Sequence, residues 1–285
     1  MRTRPGHVVR HAGKTVLYAD GTSDTTIVDT AALAGADTLP PAEVIPGTTA
    51  HHGVSIVLSD GTLLTTIGDD DGRTGARAVD TGGEEIARAE NCPGIHGEGT
   101  AAGETVVFGC EDGALMYHHG RFEKLDAPDE YGRMGNAYVS ESSPLIVGDY
   151  KDDPDAEGVL LTQIALIDPD AHTLEVVDLP DGLGYTWRGV VRGPGDKAYL
   201  LGTDGAMHVV DPATGEISES YDVIDAWEPP AEWQDPHPGM VVDGDISYIN
   251  EPATSTIHAV DLTTGEVVAS GQTPGVPNEM AVALG

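Results

Sequence analysis

One structural unit recurs six times along the sequence at intervals of 40–51 residues. Each unit has short apolar segments separated by turns, and it closes at a hairpin that is clearest at Val210–Glu216 and Val260–Glu266. The units open near residues spaced by 45, 44, 40, 51 and 50 positions: His7, His52, His96, Asn136, Trp187 and His237. Four-stranded units with a period of about 40–50 residues are typical of a β-propeller. The sequence therefore predicts an all-β propeller with four-stranded antiparallel blades around one axis.

The unbroken spacing predicts a single propeller domain over residues 1–285, because no Pro/Ser-rich linker interrupts it. Six blades are recognisable, and one further strand is predicted after them at Asn278–Leu284. A lone terminal strand usually completes a blade that begins at the other end of the chain, but the first unit already has its own inner strand. We therefore expect either a closed or an incomplete seven-bladed ring, and a sequence shortened at its N-terminus.

The net charge of the chain excludes some classes of binding partner. There are 48 acidic and 14 basic residues, which give a net charge of −34. This balance argues against nucleic-acid binding, which needs a basic surface, and against anionic membranes. No apolar run is long enough to span a bilayer, so we expect no membrane insertion. Two interpretations of the acidity stay open: a surface adapted to high salt, which screens self-repulsion, and a field that attracts cations.

The two cysteines flank a predicted hairpin, Gly97–Ala102 paired with Thr105–Gly109. In antiparallel register Cys110 falls near His96, so Cys92 can reach Cys110. We predict a disulfide there that fixes the loop carrying His96, with two reduced buried thiols as the alternative. A disulfide indicates an extracytoplasmic location, either periplasmic or secreted. Residues 1–6, however, lead straight into a strand without the apolar segment of a signal peptide.

Histidines at the start of the units are the candidate metal ligands. In a propeller the first strand of each blade lines the central channel, so side chains from distant parts of the sequence meet there. Neutral imidazoles suit Zn²⁺, and a carboxylate can complete the shell or orient an imidazole. Hydrogen-bonded turn histidines are the alternative interpretation. The candidate ligands are His7, His51, His52, His96 and His237, with Glu98 as the neighbouring carboxylate.

No catalytic residues are predicted, because the sequence has no G-x-S-x-G elbow, P-loop or dinucleotide-binding motif. A metal-dependent propeller hydrolase or lactonase is an alternative function, with Glu98 as the base. Propeller lactonases bind Ca²⁺ through Asn, Asp and Glu, and this chain has only four asparagines. A protein-interaction scaffold without metal is the third possibility.

Several motifs together resemble the AztD-type zinc metallochaperones over nearly the whole chain. The most specific are the C-P-G-I-H-G-E sequence at Cys92–Glu98 and the F-G-C-E-D-G sequence at Phe108–Gly113. The shorter segments His51–Gly53, Gly132–Met134 and Asp211–Gly215 fit the same pattern.

The resemblance implies an extracytoplasmic β-propeller, usually seven-bladed, that is not an enzyme. Such proteins hold Zn²⁺ near the propeller centre and pass it to the solute-binding protein of an ABC zinc importer. By position the resemblance implicates His52 or its neighbour His51, together with His96, His7 and His237. We expect a monomer. The sequence departs from the family in lacking a secretion signal and a His-rich N-terminal segment, and it is short by about one blade. The resemblance thus supports central zinc binding more strongly than delivery through such a segment.

Overall fold

The computed structural model describes residues 4–38, 40–156 and 158–282, which contain six antiparallel sheets of four consecutive strands each. The first sheet contains β1 (Pro5–His11), β2 (Lys14–Ala19), β3 (Asp24–Asp29) and β4 (Glu43–Ile45). The second contains β5 (Ser55–Val57), β6 (Leu63–Gly68), β7 (Arg73–Val79) and β8 (Glu85–Ala89). The third contains β9 (His96–Ala101), β10 (Thr105–Cys110), β11 (Asp112–His118) and β12 (Arg121–Asp126).

The second half of the chain repeats the same order. The fourth sheet follows a short extra strand, β13 (Gly132–Arg133), which pairs in parallel with β11. It contains β14 (Ala137–Ser140), β15 (Ser143–Tyr150), β16 (Gln163–Asp168) and β17 (Thr173–Asp178). The fifth contains β18 (Val190–Arg192), β19 (Ala198–Leu201), β20 (Ala206–Val210) and β21 (Ile217–Asp222). The sixth contains β22 (Gly239–Asp243), β23 (Ile246–Glu251), β24 (Thr256–Asp261) and β25 (Val267–Gln272).

Helical structure is confined to short connections. The one α-helix of the described ranges, α1, spans Thr30–Leu33, and single 3₁₀ turns span Ala102–Glu104, Trp187–Gly189, Pro194–Asp196 and Pro252–Thr254. Within the described ranges, none of these helices has the length and hydropathy that a membrane crossing requires.

Hydrophobic side chains on the faces of the sheets join each sheet to the next. The middle strands β10 and β20 are buried along their whole length, whereas every residue of the last strand, β25, is exposed. Four clusters of buried side chains connect consecutive sheets from the first to the sixth. First strands also contact one another, as β1 does β5 and β14 does β9 and β18. This is blade packing, and it confirms the predicted propeller class.

The extra strand lies elsewhere than predicted. Residues 278–282 form no strand, and residues 283 and 284 of the predicted Asn278–Leu284 strand lie outside the described ranges. Side-chain hydrogen bonds hold Asn278 in place of the backbone hydrogen bonds of a strand. The Arg188 guanidinium donates to Asn278 Oδ1 at 2.6 Å, and Asn250 Nδ2 donates to the Asn278 carbonyl at 3.2 Å. None of the four clusters joins the sixth sheet to the first among the described residues, so the blade count and the single domain over residues 1–285 stay predictions.

A disulfide joins Cys92 and Cys110, as predicted. Both residues are fully buried, and backbone hydrogen bonds flank the link: the Cys92 amide donates to Thr74 O, and the Glu111 amide donates to Pro93 O. The bridge therefore ties the segment before β9 to the end of β10.

We predict that the Cys92→Ser/Cys110→Ser variant loses about 3 kcal/mol of unfolding free energy. The bridge closes a span of 18 residues, and cross-linking a loop of that size removes entropy from the unfolded chain. Urea denaturation at fixed high salt measures the change, and the wild-type protein in reductant is the matched control. A change below about 0.5 kcal/mol in both would contradict the prediction.

Candidate metal centre

Three histidines from three consecutive sheets meet at the inner edge of the propeller. His7 lies in β1, His52 lies three residues before β5, and His96 is the first residue of β9. Their ring centroids are 5.0–5.2 Å apart in all three pairs. They meet although 89 positions separate the first from the last, and the repeat had placed them, with His237, at equivalent positions.

Two glycines shape the backbone around His96. Gly97 has φ +64°, which an L side chain rarely adopts, and the β9–β10 register shifts there so that His96 pairs with Gly109. A Cβ on Gly109 would lie 1.9 Å from the Met134 carbonyl oxygen. Glycine is therefore required where the 134–135 backbone approaches His96.

The donor set fits Zn²⁺. One ring nitrogen from each of the three imidazoles lies within 4.8 Å of the others. Tetrahedral Zn²⁺ with Zn–N bonds of about 2.0–2.1 Å needs nitrogens about 3.4 Å apart. Rotations of the side chains that close the triangle by about 1.4 Å or less would bring all three into the shell. Three protein ligands leave one tetrahedral position open.

Hydrogen bonds determine which nitrogen is available as a metal ligand in two of the imidazoles. His96 Nδ1 lies 2.9 Å from the Gly135 carbonyl oxygen, and that oxygen can only accept, so Nδ1 carries the proton. His52 Nδ1 lies 2.8 Å from Asp20 Oδ2, and it donates to this carboxylate in the same way. In both rings the lone pair of the neutral form is then on Nε2. Carboxylate and carbonyl partners of this kind commonly orient zinc-binding histidines.

The loop that orients His96 is itself held by a buried carboxylate. Asp149 Oδ1 accepts from the Gly135 amide at 2.5 Å and the Asn136 amide at 2.8 Å, and Oδ2 accepts from Asn136 Nδ2 at 2.7 Å. Burial raises the pKa of Asp149 in spite of these hydrogen bonds. The contacts run from Asp149 through the Gly135 peptide to His96.

Burial favours the neutral form of two of the imidazoles. Burial lowers the pKa of His96 to about 4, although the hydrogen bond with the Gly135 carbonyl opposes this effect, and the nearby His7, Arg73 and His52 lower the pKa further. Burial, followed by the proximity of His52, also lowers the pKa of His7, against a smaller opposite effect of Asp20. Neutral imidazole is the form that binds metal, so both residues are ready to bind below the usual pH of histidine titration.

Two of the predicted ligands lie outside this group. His51 Nε2 contacts Tyr18 Oη at 3.0 Å and Thr66 Oγ1 at 3.1 Å, and its Nδ1 lies 2.9 Å from Thr49 O. Both of its nitrogens are thus engaged, and the structure favours His52 of the adjacent pair. His237 is buried, its ring stacks on Trp227 at 6.3 Å, and its Nδ1 lies 2.8 Å from Asp235 O.

Glu98 lines the adjacent cavity, and the carboxylate that contacts an imidazole of the candidate centre is Asp20. Glu98 shares a cavity of about 390 Å³ with His7, Tyr138 and Arg188, and burial raises its pKa to about 8. It is therefore protonated at neutral pH. The pairing of the first hairpin could have indicated Asp20. Its β1–β2 register pairs Pro5 with Ala19, which places Asp20 beside the segment that carries His7.

A wider cavity opens on the three histidines. Its volume is about 880 Å³, and its lining includes His7, His52 and His96. The side chain of His52 is 44% exposed, so the group is accessible from this side. A β-propeller with an accessible three-histidine site is therefore the class of protein that the fold and the geometry define.

Comparison with known proteins agrees with this class. No protein-family model matches the sequence. The zinc chaperone AztD of Citrobacter koseri is 27% identical over 284 residues, an alignment that covers 94% of this chain and 64% of that protein. The chain thus spans slightly less than two thirds of the curated relative's length.

Two crystal structures of Citrobacter koseri AztD, one of them of the apo protein, superpose on this chain with a TM-score of 0.77 and 25% identity. Each alignment covers 96% of this chain, and 74% and 72% of the respective AztD chains. The resemblance to AztD that the motifs indicated is confirmed.

We predict that Asp20→Asn weakens Zn²⁺ binding by about 10–100-fold, because partners of this kind contribute that much when they orient a ligand imidazole. The control is Asp29→Asn, which removes an exposed carboxylate paired with Lys14 at 2.5 Å on the same sheet. Competition with a chromophoric chelator measures both affinities. Equal affinities of the two variants would show that Asp20 does not orient His52.

Proposed function

We propose that this chain is a zinc-binding chaperone that holds Zn²⁺ between His7, His52 and His96 and passes it to another protein. The recipient is the solute-binding protein of an ABC zinc importer. The observation that carries the proposal is the convergence of three imidazoles whose ligand atoms lie within 4.8 Å, in a chain similar to a zinc chaperone.

The geometry suits a site that must release its metal. Three protein ligands leave an open position, and the adjacent cavity lets an incoming ligand reach the ion before the imidazoles dissociate. A closed four-ligand site would lack such a route. Exchange through the open position is therefore the mechanism that we propose for transfer.

Two further properties belong to the proposal: an extracytoplasmic location and a non-enzymatic role. The Cys92–Cys110 disulfide supports an extracytoplasmic location, periplasmic or secreted. The similar protein is named as a chaperone and not as an enzyme, which supports a non-enzymatic role. Glu98 is a poor general base at neutral pH because burial raises its pKa to about 8, so no observation favours the hydrolase alternative.

Joint substitution His52→Ala/His96→Ala is expected to weaken Zn²⁺ binding by at least about 100-fold, since two of the three ligands are lost. His51→Ala and His237→Ala are the controls and are expected to stay within about threefold of wild type, once circular dichroism confirms folding. Calorimetric titration at pH 7.5 measures all four proteins. No saturable binding to wild type, or no loss in the double variant, would reject the proposal.

The affinity for Zn²⁺ is expected to fall less between pH 7.5 and pH 5.5 than it would for three ordinary imidazoles. An imidazole with a pKa of 6.5 loses about tenfold in its neutral fraction between pH 7.5 and 5.5, so three such ligands would lose about a thousandfold. The pKa values of His7 and His96 are lowered, so these two rings stay neutral further into acid. We therefore expect a loss well below a thousandfold. Titrations at the two pH values measure it, and a thousandfold loss would contradict the assignment of these ligands.

A further inference from the structure

A third cavity lies where the fifth and sixth sheets meet. Its volume is about 480 Å³, and its walls come from the connection between β21 and β22 and from the turn between β23 and β24. A cavity of this volume is typical of a site for a small organic molecule. Of the described residues that form its walls, none belongs to the candidate metal centre. The cavity is therefore a separate candidate site.

Hydrogen bonds hold both walls of this cavity in place. On one side the Trp227 amide donates to Thr203 O at 2.8 Å, and the indole Nε1 donates to Gly202 O at 2.9 Å. On the other side the amide of Thr273 donates to Ser255 O at 2.8 Å, which ties the segment after β25 to the turn between β23 and β24. The sheets themselves therefore set the shape of the cavity.

The charge of the cavity is negative. Its charged residues are Asp225, Glu228 and Glu251, and within the described ranges no lysine or arginine lines it. Arg188 acts on the pKa of His237, but it lies outside the cavity walls and pairs with Glu279 at 2.8 Å. This charge favours a cationic ligand.

Glu251 is the enclosed carboxylate of the three, with a side chain that is only 12% exposed. Burial raises its pKa, but hydrogen bonds with Thr254, His258 and the Asp225 backbone outweigh this effect, so the pKa is lowered overall. The group is therefore ionised at neutral pH. An ionised carboxylate offers about four acceptor positions, so at least one stays available to a ligand.

His237 adds a buried acceptor to the cavity wall. The residue is 1% exposed, and its Nδ1 donates to the Asp235 carbonyl oxygen at 2.8 Å. Burial lowers the pKa of His237, against the opposite effect of this hydrogen bond, so the neutral ring with its lone pair on Nε2 is favoured. Among the described residues Nε2 has no hydrogen-bond partner. Buried atoms of this kind are rare and commonly receive a hydrogen bond from a ligand or an ordered water.

The rest of the wall is aromatic and apolar. The ring of Trp227 stacks on His237 with the centroids 6.3 Å apart, and Pro236, Pro238 and Pro252 add rigid apolar surface. Indole faces attract organic cations. A metal ion fits less well, because within the described ranges three ligand atoms of His, Cys, Asp or Glu come within 4.8 Å of one another only at the candidate metal centre.

We infer that this cavity binds a primary organic ammonium, with its charge between Glu251 and the indole of Trp227 and one N–H donated to His237 Nε2. The carboxylate supplies the opposite charge, the indole adds a cation–π interaction, and the apolar walls accept the carbon chain. A primary ammonium has three N–H donors, whereas a quaternary ammonium has none. The ligand comes from a free amine or from a lysine side chain of another polypeptide. This inference goes beyond the proposed function and does not depend on it.

The test is calorimetric titration with n-butylammonium at about 1 M NaCl, where a Debye length of about 3 Å screens the net charge of the chain. We expect saturable binding. Tetramethylammonium, which has the charge but no N–H donor, is expected to bind at least about tenfold more weakly. Pentanoate, with a chain of similar length and the opposite charge, is expected not to bind.

A peptide distinguishes the two sources of the ammonium group. The blocked peptide acetyl-Gly-Lys-Gly-amide is compared with n-butylammonium, with acetyl-Gly-Gln-Gly-amide as the neutral control. Tighter binding of the lysine peptide identifies a polypeptide side chain as the ligand, and the reverse order identifies a free amine.

Variants connect the binding to the cavity. Glu251→Gln is expected to weaken n-butylammonium binding at least about tenfold, because it removes the charge and keeps the size of the side chain. Trp227→Leu is expected to weaken it about fivefold. Glu266→Gln, an exposed position on the hairpin of the same sheet, is the matched control and stays within about twofold. If circular dichroism shows that Glu251→Gln is unfolded, Asp225→Asn/Glu228→Gln at the exposed rim is used instead, with an expected loss of about threefold.

Three results would overturn the assignment: no saturable binding of n-butylammonium, equal binding of tetramethylammonium, or equal affinities of Glu251→Gln and Glu266→Gln. Competition with Zn²⁺ in the His52→Ala/His96→Ala variant separates this site from a metal site. We expect Zn²⁺ to leave n-butylammonium binding unchanged there, and displacement by Zn²⁺ would reject the amine in favour of a metal. A failure of wild type to bind Zn²⁺ would reject the proposed function alone.

Discussion

Packing between the first strands of consecutive sheets is the constraint on which the centre depends. Contacts of β1 with β5, and of β9 with β14, hold the inner edges of neighbouring blades together. His7, His52 and His96 are attached to these inner edges, and each alone is a weak donor. Because buried side chains between the blades fix the relative positions of the sheets, the triangle of imidazoles is largely preorganised. Core stability and metal affinity are thus coupled.

Hydrogen bonding selects which nitrogen of two of these imidazoles is free to bind an ion. Three imidazoles free to rotate would present either nitrogen, and only some combinations point at one ion. The Gly135 carbonyl and the Asp20 carboxylate remove that choice for His96 and His52. Asp149 then fixes Gly135 through its amide. In the proposed metal site, residues that are not themselves ligands therefore determine much of the ligand geometry.

The repeat made the blades predictable, and because its period places equivalent residues on one axis it put His7, His52 and His96 among the candidate ligands, together with His51 and His237, which lie outside the group. The Cys92–Cys110 bridge was also predictable from hairpin register. Other features depend on tertiary contacts that the sequence does not display. The choice of His52 over His51 follows from Tyr18 and Thr66, which engage His51. Glu98 was the expected carboxylate, but Asp20 is the one that contacts an imidazole of the group. Gly135, whose carbonyl contacts His96, lies 39 residues from it in the sequence.

The charge of the chain acts differently at long range and close to the candidate metal centre. A net charge of −34 draws cations towards the molecule from a distance, although salt screens this field beyond about 10 Å. Close to the centre, charges of both signs lie beside the three histidines, because Arg133, Lys151, Asp149 and Glu279 line the same cavity and Asp20 contacts His52. The long-range field therefore favours the approach of cations, whereas the affinity of the candidate site depends on its ligand atoms and on the hydrogen bonds that orient them.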